Sequence, residues 1–458
     1  MAGKTKQVPP VKPGQEIEVQ IDGLAYGGDA TARYKGFAIF IPYAVPGSVV
    51  LARVTEVKSN FGSARVVRVI KESPDYIKPV CPHFGVCGGC DWLNIKYETQ
   101  LKYKAEQIRH MTETIGGVKG AKINPFVTYK NPLHYRARSQ YKLKMEKGKI
   151  RLGFYRARSH DITAVNRCFI LKEEINNAAF EVQAALNSMK RPVKIYDERS
   201  SRGTLRHVSI RANSAGEVLI TFVVVAKAAK EMLKEPAAVI MKKIRNAAGI
   251  TININKEPGN AVFGPVDMVL EGKGYITERA AGIDFILGPA SFFQVSPEIL
   301  EIMAGYVAER SGRGAVLIDL YGGVGALTVP LHKESREIIV VESDRQNTSR
   351  FDEIARRNSV RNCRVINEKA EYAVEKLLAE KKDAVVVVDP PRKGLHPRII
   401  QALRHRRPRL LIYISCNPAT FARDLSGLKD VFNLEGITPV DQFAQTYHCE
   451  LMAALRPK

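Results

Sequence analysis

Apolar and polar positions alternate strictly through "EIEVQID" at residues 16–22, and "GFAIFIP", "SVVLARVTEV" and "SARVVRVI" follow with glycine or proline between successive runs. About five short strands in under seventy residues predict a small OB-like β-barrel. From about residue 73 to 275 the pattern mixes strand and helix. Tyr97, Leu101, Ala105, Ile108, Met111 and Ile115 recur at steps of three and four and predict an amphipathic helix with that stripe inward. In "YRARSQYKLK" the period of two puts Arg136, Arg138, Gln140, Lys142 and Lys144 on one strand face, and "EKGK" predicts a turn into "IRLGFYRARS". From about residue 276 the runs "AVLIDL", "EIIVVE", "DAVVVVD" and "RLLIYIS" alternate with helix-like segments, which predicts a doubly wound parallel sheet.

Charge narrows the partners. The chain has 458 residues, too many for one ordinary core, with 70 Lys and Arg against 47 Asp and Glu, a formal charge of +23. Such an excess answers a polyanion, either nucleic acid or a membrane surface. No run approaches the eighteen or so apolar residues of a spanning helix, and "MAGKTKQVPP" lacks the apolar core of a leader, so a soluble cytoplasmic protein with no membrane role is expected. Arginine interleaved with Phe154 and Tyr155 suits single-stranded nucleic acid, and RNA is the expected partner. The seven cysteines are odd in number and scattered, unlike a secreted disulfide framework. Nothing in the pattern implies an obligate protein partner.

Four strand tips carry chemistry. "VLIDLYGGVGALTVPL" reads as a strand, a glycine turn and a helical segment; Thr328 stands where a third glycine would complete a dinucleotide fingerprint, and Asp319 near the strand end favours S-adenosylmethionine over NAD. Glu342, 23 residues on, closes a second strand where a carboxylate can accept two ribose hydroxyls. Asp389 in "VVVVDPPRKGLHP" and Cys416 in "YISCNPATFARDL" end two more strands, so Gly323, Glu342, Asp389 and Cys416 are expected to share one crevice. A cysteine beside a methyl donor suits addition to carbon 6 of uracil, which makes carbon 5 nucleophilic. A base must then remove the carbon-5 proton. His448 and Glu450 in "QTYHCELMAAL" are the candidates, and Glu450 is preferred because a carboxylate in an apolar strand is costly unless it has a function.

With "SFFQVS", "DLYGGVGALTVPL", "VVDPPRKGLHP", "YISCNPATFARDL" and "FAQTYHCE", nearly the whole chain resembles the RNA uracil-5-methyltransferases, closely the bacterial enzymes acting on 23S ribosomal RNA. The resemblance implies three parts: an N-terminal RNA-binding TRAM barrel at residues 8–72, a central α+β region at 73–275 and a Rossmann-like methyltransferase domain at 276–458. It implies that Gln294, Tyr321, Glu342 and Asp389 contact S-adenosylmethionine, that Cys416 is the nucleophile and that Glu450 is the base. "CPHFGVCGGC" supplies Cys81, Cys87 and Cys90, and Cys168 is the remaining cysteine before the catalytic domain; four thiolates suit zinc or a [4Fe-4S] cluster. The resemblance implies the iron–sulfur cluster on these four residues, with a structural or RNA-positioning role. It departs at Ser296, where asparagine is frequent, at Ala326, where a polar residue is frequent, and at Ala444, where proline is frequent. Rival readings are a tRNA uracil-5-methyltransferase, a cytosine-5-methyltransferase and an RNA-binding assembly factor without catalysis.

Overall fold

A computed structural model of the chain describes residues 9–259 and 261–458. Residues 1–8, which include the first residue of the expected barrel and most of the opening segment read for a leader, lie outside the described residues. The alternating N-terminal pattern forms five strands, β1 (Glu16–Leu24), β2 (Ala30–Tyr34), β3 (Phe37–Ile41), β4 (Val49–Val57) and β5 (Phe61–Lys71), closed into a barrel in the order β1-β2-β3-β5-β4. Alternate residues of β1 point inward, so Ile17, Val19 and Ile21 pack with Ile39, Ile41 and Val54. Full burial of such a side chain contributes about 1.5–3 kcal/mol. Trp92 comes from outside the barrel, is 1% exposed in the same core, and donates its indole N–H to the Gly28 carbonyl at 2.8 Å.

The expected helix forms as α1 (Tyr97–Thr114), but its stripe is rotated from the expected one. Gln100, Lys104, Ile108, Met111 and Thr112 are buried, whereas Ile115, just beyond its end, is 45% exposed. Helix α1 packs on a helix of the C-terminal sheet described below, and its inward polar pair, Gln100 and Lys104, meets Gln445 and Asp441.

The central sheet contains β6 (Arg138–Glu146), β7 (Lys149–Tyr155), β8 (Ile162–Ala164), β9 (Leu205–Ala212), β10 (Val218–Val224), β11 (Ala247–Ile254) and β12 (Val266–Gly272), in the order β12-β11-β10-β9-β6-β7-β8. Helices α2 (Glu173–Asn187) and α3 (Ala229–Lys243) cover it. The turn expected at "EKGK" joins β6 to β7. Glu146 pairs with Lys149, and Lys147 and Gly148 both have positive φ, the backbone a two-residue hairpin of this twist requires.

A hairpin, β13 (Ile276–Ala280) and β14 (Ile283–Leu287), leads to helix α4 (Pro297–Ser311) and the C-terminal sheet. The sheet holds β15 (Val316–Leu320), β16 (Glu337–Glu342), β17 (Cys363–Asn367), β18 (Val385–Val388), β19 (Leu410–Ser415), β20 (Phe432–Val440) and β21 (Glu450–Pro457), with helices α5 (Arg345–Arg357), α6 (Ala370–Glu380), α7 (Pro397–His405) and α8 (Pro418–Leu428) between strands. The order is β17-β16-β15-β18-β19-β21-β20; the first five strands run parallel, and β21 enters antiparallel between β19 and β20. Because β15 is followed on one side by β16 and on the other by β18, the chain reverses direction across the sheet there, where an open sheet leaves a crevice. Helix α1 lies on α8, and Ile123 and Val127 bridge to Ile437 and Val440 of β20. Among the described residues no helix is long and apolar enough to cross a membrane.

Candidate functional site

The glycine loop leaves β15 in a turn and runs into a short 3-10 helix, Val329–Lys333, at the place of the expected helical segment. Tyr321 adopts φ of +66°, strained for a side-chain-bearing residue, and its N–H bonds the Val341 carbonyl at 3.1 Å. A Cβ at Gly322 would come within 2.7 Å of the Asp319 carboxyl, so only glycine lets the loop cross that group. Asp319 is 0% exposed; one oxygen accepts the Thr328 hydroxyl at 2.6 Å and the other has no partner. Burial pushes its carboxyl up to about 7. Glu342 is aimed by two backbone donors, the N–H of Gly323 at 3.0 Å and that of Asp344 at 2.6 Å.

Cys416 and Glu450 come together through strand direction. The five parallel strands end at one edge of the sheet, and antiparallel β21 begins there, so its first residue arrives beside their tips. Ser415, the last residue of β19, pairs with Leu451, so Cys416 at the bend just past β19 and Glu450 at the start of β21 lie at neighbouring strand ends, close enough for the Glu450 charge to act on the thiol. Burial, Glu450 and Asp389 push the Cys416 thiol up to about 11, against the opposing pull of Arg392. Glu450 is 4% exposed; burial and then Asp389 hold its carboxyl well above the usual range, again against Arg392. Burial raises Asp389 to about 7.

Two glutamines link these acids. The Gln294 amide donates to Asp389 at 3.3 Å, and the Gln442 amide donates to Gln294 at 3.0 Å and to Glu450 at 3.4 Å. The other Glu450 oxygen is buried and has no hydrogen-bond partner. Gln442 was not singled out by sequence reasoning; the signal available was two adjacent polar residues, Asp441 and Gln442, at the end of an apolar strand. Arg392 was missed as well, although it stands inside "DPPRKG" and is the cation facing the thiol. His448 is a poor base here, because burial and Arg392 lower its imidazole to about 4. Cys449 is buried, with its thiol 3.1 Å from the Glu450 carbonyl.

The loop before Glu450 is held from the other end of the chain. Lys104 and Asp441 form an ion pair at 2.7 Å with both side chains 0% exposed, and Tyr97 donates to the second Asp441 oxygen at 2.7 Å. Gln100 donates to Gln445 at 2.9 Å, and the backbone N–H groups of Asp91 and Trp92 reach the Gln445 carbonyl.

Cys81, Cys87, Cys90 and Cys168 line one cavity of about 270 Å³. Backbone N–H groups face two of the thiols, that of Gly89 at Cys87 and those of Ile170 and Leu171 at Cys168. Among the described residues no His, Cys, Asp or Glu group closes around a single metal ion. The cationic strand face is only partly free. Arg138 turns into the protein and donates to the carbonyls of Ser291 at 3.2 Å and Pro289 at 2.9 Å, so it braces the loop carrying Gln294. Lys142 lies over the Tyr155 ring, and burial lowers its ammonium to about 8.

Residues 96–457 match the tRNA (Uracil-5-)-methyltransferase family, and residues 10–67 match the TRAM domain, in agreement with the closed barrel. An uncharacterized RNA methyltransferase of Gloeobacter violaceus is 34% identical over 463 residues, covering 99% of this chain and 99% of that protein. One of Halalkalibacterium halodurans is 33% identical, covering 99% and 100%. The fold is similar to that of the Pyrococcus abyssi tRNA (uracil-54, C5)-methyltransferase, solved with S-adenosyl-L-homocysteine, at a TM-score of 0.73 and 23% identity over 95% of this chain and 99% of that one. The family match over most of the chain and the relatives that span it end to end place this protein among the tRNA (uracil-5-)-methyltransferases: it belongs to that family, is an RNA uracil-5-methyltransferase, and carries an N-terminal TRAM domain.

Proposed function

We propose that the chain methylates carbon 5 of a uridine in 23S ribosomal RNA in the cytoplasm, with Cys416 as nucleophile and Glu450 as general base. The observation that carries this reading is that the adjoining ends of β19 and β21 bring Cys416 and Glu450 together beside Asp389. S-adenosylmethionine fits the crevice: Gln294, Tyr321, Gly323, Glu342 and Asp389 would hold it, and the unpartnered Asp319 oxygen under the glycine loop is the type of acceptor a polar ligand satisfies. When bound it supplies the methyl group and a positive sulfonium. Cys416 adds as thiolate to carbon 6 of the extruded base, which leaves the electron pair on carbon 5. After carbon 5 is methylated, Glu450 takes the carbon-5 proton, the carbon 6–sulfur bond breaks, and the thiolate leaves with the ring restored. Gln442 aims the carboxylate.

Cys81, Cys87, Cys90 and Cys168 would hold a [4Fe-4S] cluster that fixes the segment leading into Trp92. The shared cavity and backbone donors to sulfur support that assignment. Iron and visible absorbance in purified protein support the cluster; stoichiometric zinc overturns it.

The similar fold of an enzyme that acts on tRNA favours tRNA as the second substrate reading. Incubating the protein with 23S ribosomal RNA and tRNA transcripts and mapping 5-methyluridine separates the two. Cys416→Ala is expected to abolish methylation of either RNA, and full activity of that variant would sink the mechanism.

A further inference from the structure

The turn between β1 and β2 of the barrel, "AYGGD" at residues 25–29, reaches the loop that carries Cys416. The Tyr26 hydroxyl donates to Asn417 Oδ1 at 2.9 Å, across 391 residues of sequence. Asn417 caps α8: the same oxygen accepts the Ala419 N–H at 3.1 Å, and its amide nitrogen donates to the Arg392 carbonyl at 3.0 Å. Tyr26 therefore completes the partner set that fixes the residue next to the thiol and ties it to the strand-tip loop bearing Arg392. The rest of the turn is built for the approach. Gly28 has φ of +99°, and a Cβ there would come within 3.1 Å of Asp91 and of the Tyr447 ring. Its carbonyl accepts the Trp92 indole N–H at 2.8 Å, Arg158 pairs with Asp29 at 2.5 Å, and the Tyr26 ring meets Tyr447 edge-on at 5.6 Å.

We propose that Tyr26, a residue of the barrel, is a positioning residue for the nucleophile: through Asn417 it sets the conformation of the Cys416 loop, so the barrel completes the active site as well as gripping RNA. This rests on the assignment of Cys416 as nucleophile. The docking of the barrel is then read at the thiol, because a displaced turn leaves Asn417 without one of its two donors.

Tyr26→Phe keeps the ring and removes only the hydroxyl. Losing one neutral hydrogen bond at the reacting loop is expected to lower kcat and the rate of covalent adduct formation with 5-fluorouridine RNA together, about threefold to tenfold, with KM for RNA unchanged. Tyr26→Phe combined with Asn417→Ala is expected to be no slower than Asn417→Ala alone, since both act through one contact. A wild-type adduct rate in Tyr26→Phe overturns the proposal, as does a rise in KM with the adduct rate at saturating RNA unchanged, or losses that multiply in the double variant. Cys416→Ala separates the two levels. If it still methylates, the nucleophile assignment fails; if it is inactive and Tyr26→Phe is unimpaired, only the positioning role fails.

Discussion

Replacing Lys104 by methionine tests whether α1 holds the loop in front of Glu450. The Lys104 ammonium lies 2.7 Å from Asp441 and 3.4 Å from the Phe443 carbonyl, and both charged side chains of the pair are 0% exposed. Methionine fills similar space but leaves the Asp441 carboxylate with the Tyr97 hydroxyl as its remaining side-chain donor and no cation, out of reach of water. Breaking a buried pair from one side costs about 3–5 kcal/mol, a large share of the ~5–15 kcal/mol that holds an ordinary domain folded. In urea the transition that reports the C-terminal sheet should shift down by roughly 1 M or more, at a slope of about 1–3 kcal/mol per M. Lys104→Met with Asp441→Leu should recover most of that loss, because the penalty lies in the stranded charge. A midpoint within about 0.2 M of wild type for the single variant, or a double variant less stable than the single, would refute the reasoning.

Other outcomes follow from the same geometry. With Cys416 as the proposed nucleophile its thiolate is the reacting form, and the thiol is held up at about 11, so kcat/KM for RNA should climb with pH across the neutral range; Arg392→Gln should move the profile further up, and a plateau below pH 8 would contradict this. Glu450→Gln leaves addition intact but removes the base, so turnover should fall about 10²- to 10⁴-fold while protein linked to RNA accumulates on denaturing gels. Asp319 is raised to about 7 in the folded chain, so the stability it contributes is full below its unfolded value near 4 and is lost as pH rises through 7. Asp319→Asn should therefore gain on wild type between pH 4 and 8, by roughly 4 kcal/mol in denaturation midpoints converted to free energy, and an unchanged difference across that range would disprove it.

The strands were legible because their cause is local. Alternation in β1 and unbroken apolar runs in β15, β18 and β19 carry their own burial. The buried face of α1 was not legible, because the inward Gln100 and Lys104 have Gln445 and Asp441 among their partners, more than 330 residues away. Cys416 and Glu450 stood out as candidates by residue type and setting, but not their proximity, which depends on β21 entering between β19 and β20. Arg138 read as part of an exposed cationic stripe; the loop that draws it inward, at Pro289 and Ser291, lies over 150 residues downstream. Tyr26 carried no signal, since one tyrosine in a glycine turn has meaning only once the barrel is docked.

The placement of β21 also sets when the enzyme becomes active during synthesis. The strand that pairs with both β19 and β20 is translated after both, and it brings Glu450 with it. Until residues 450–457 have left the ribosome, β19 and β20 present unpaired edges and the crevice lacks Glu450, its proposed base. A nascent chain can thus carry a finished barrel and central sheet, both able to meet RNA, while remaining chemically silent.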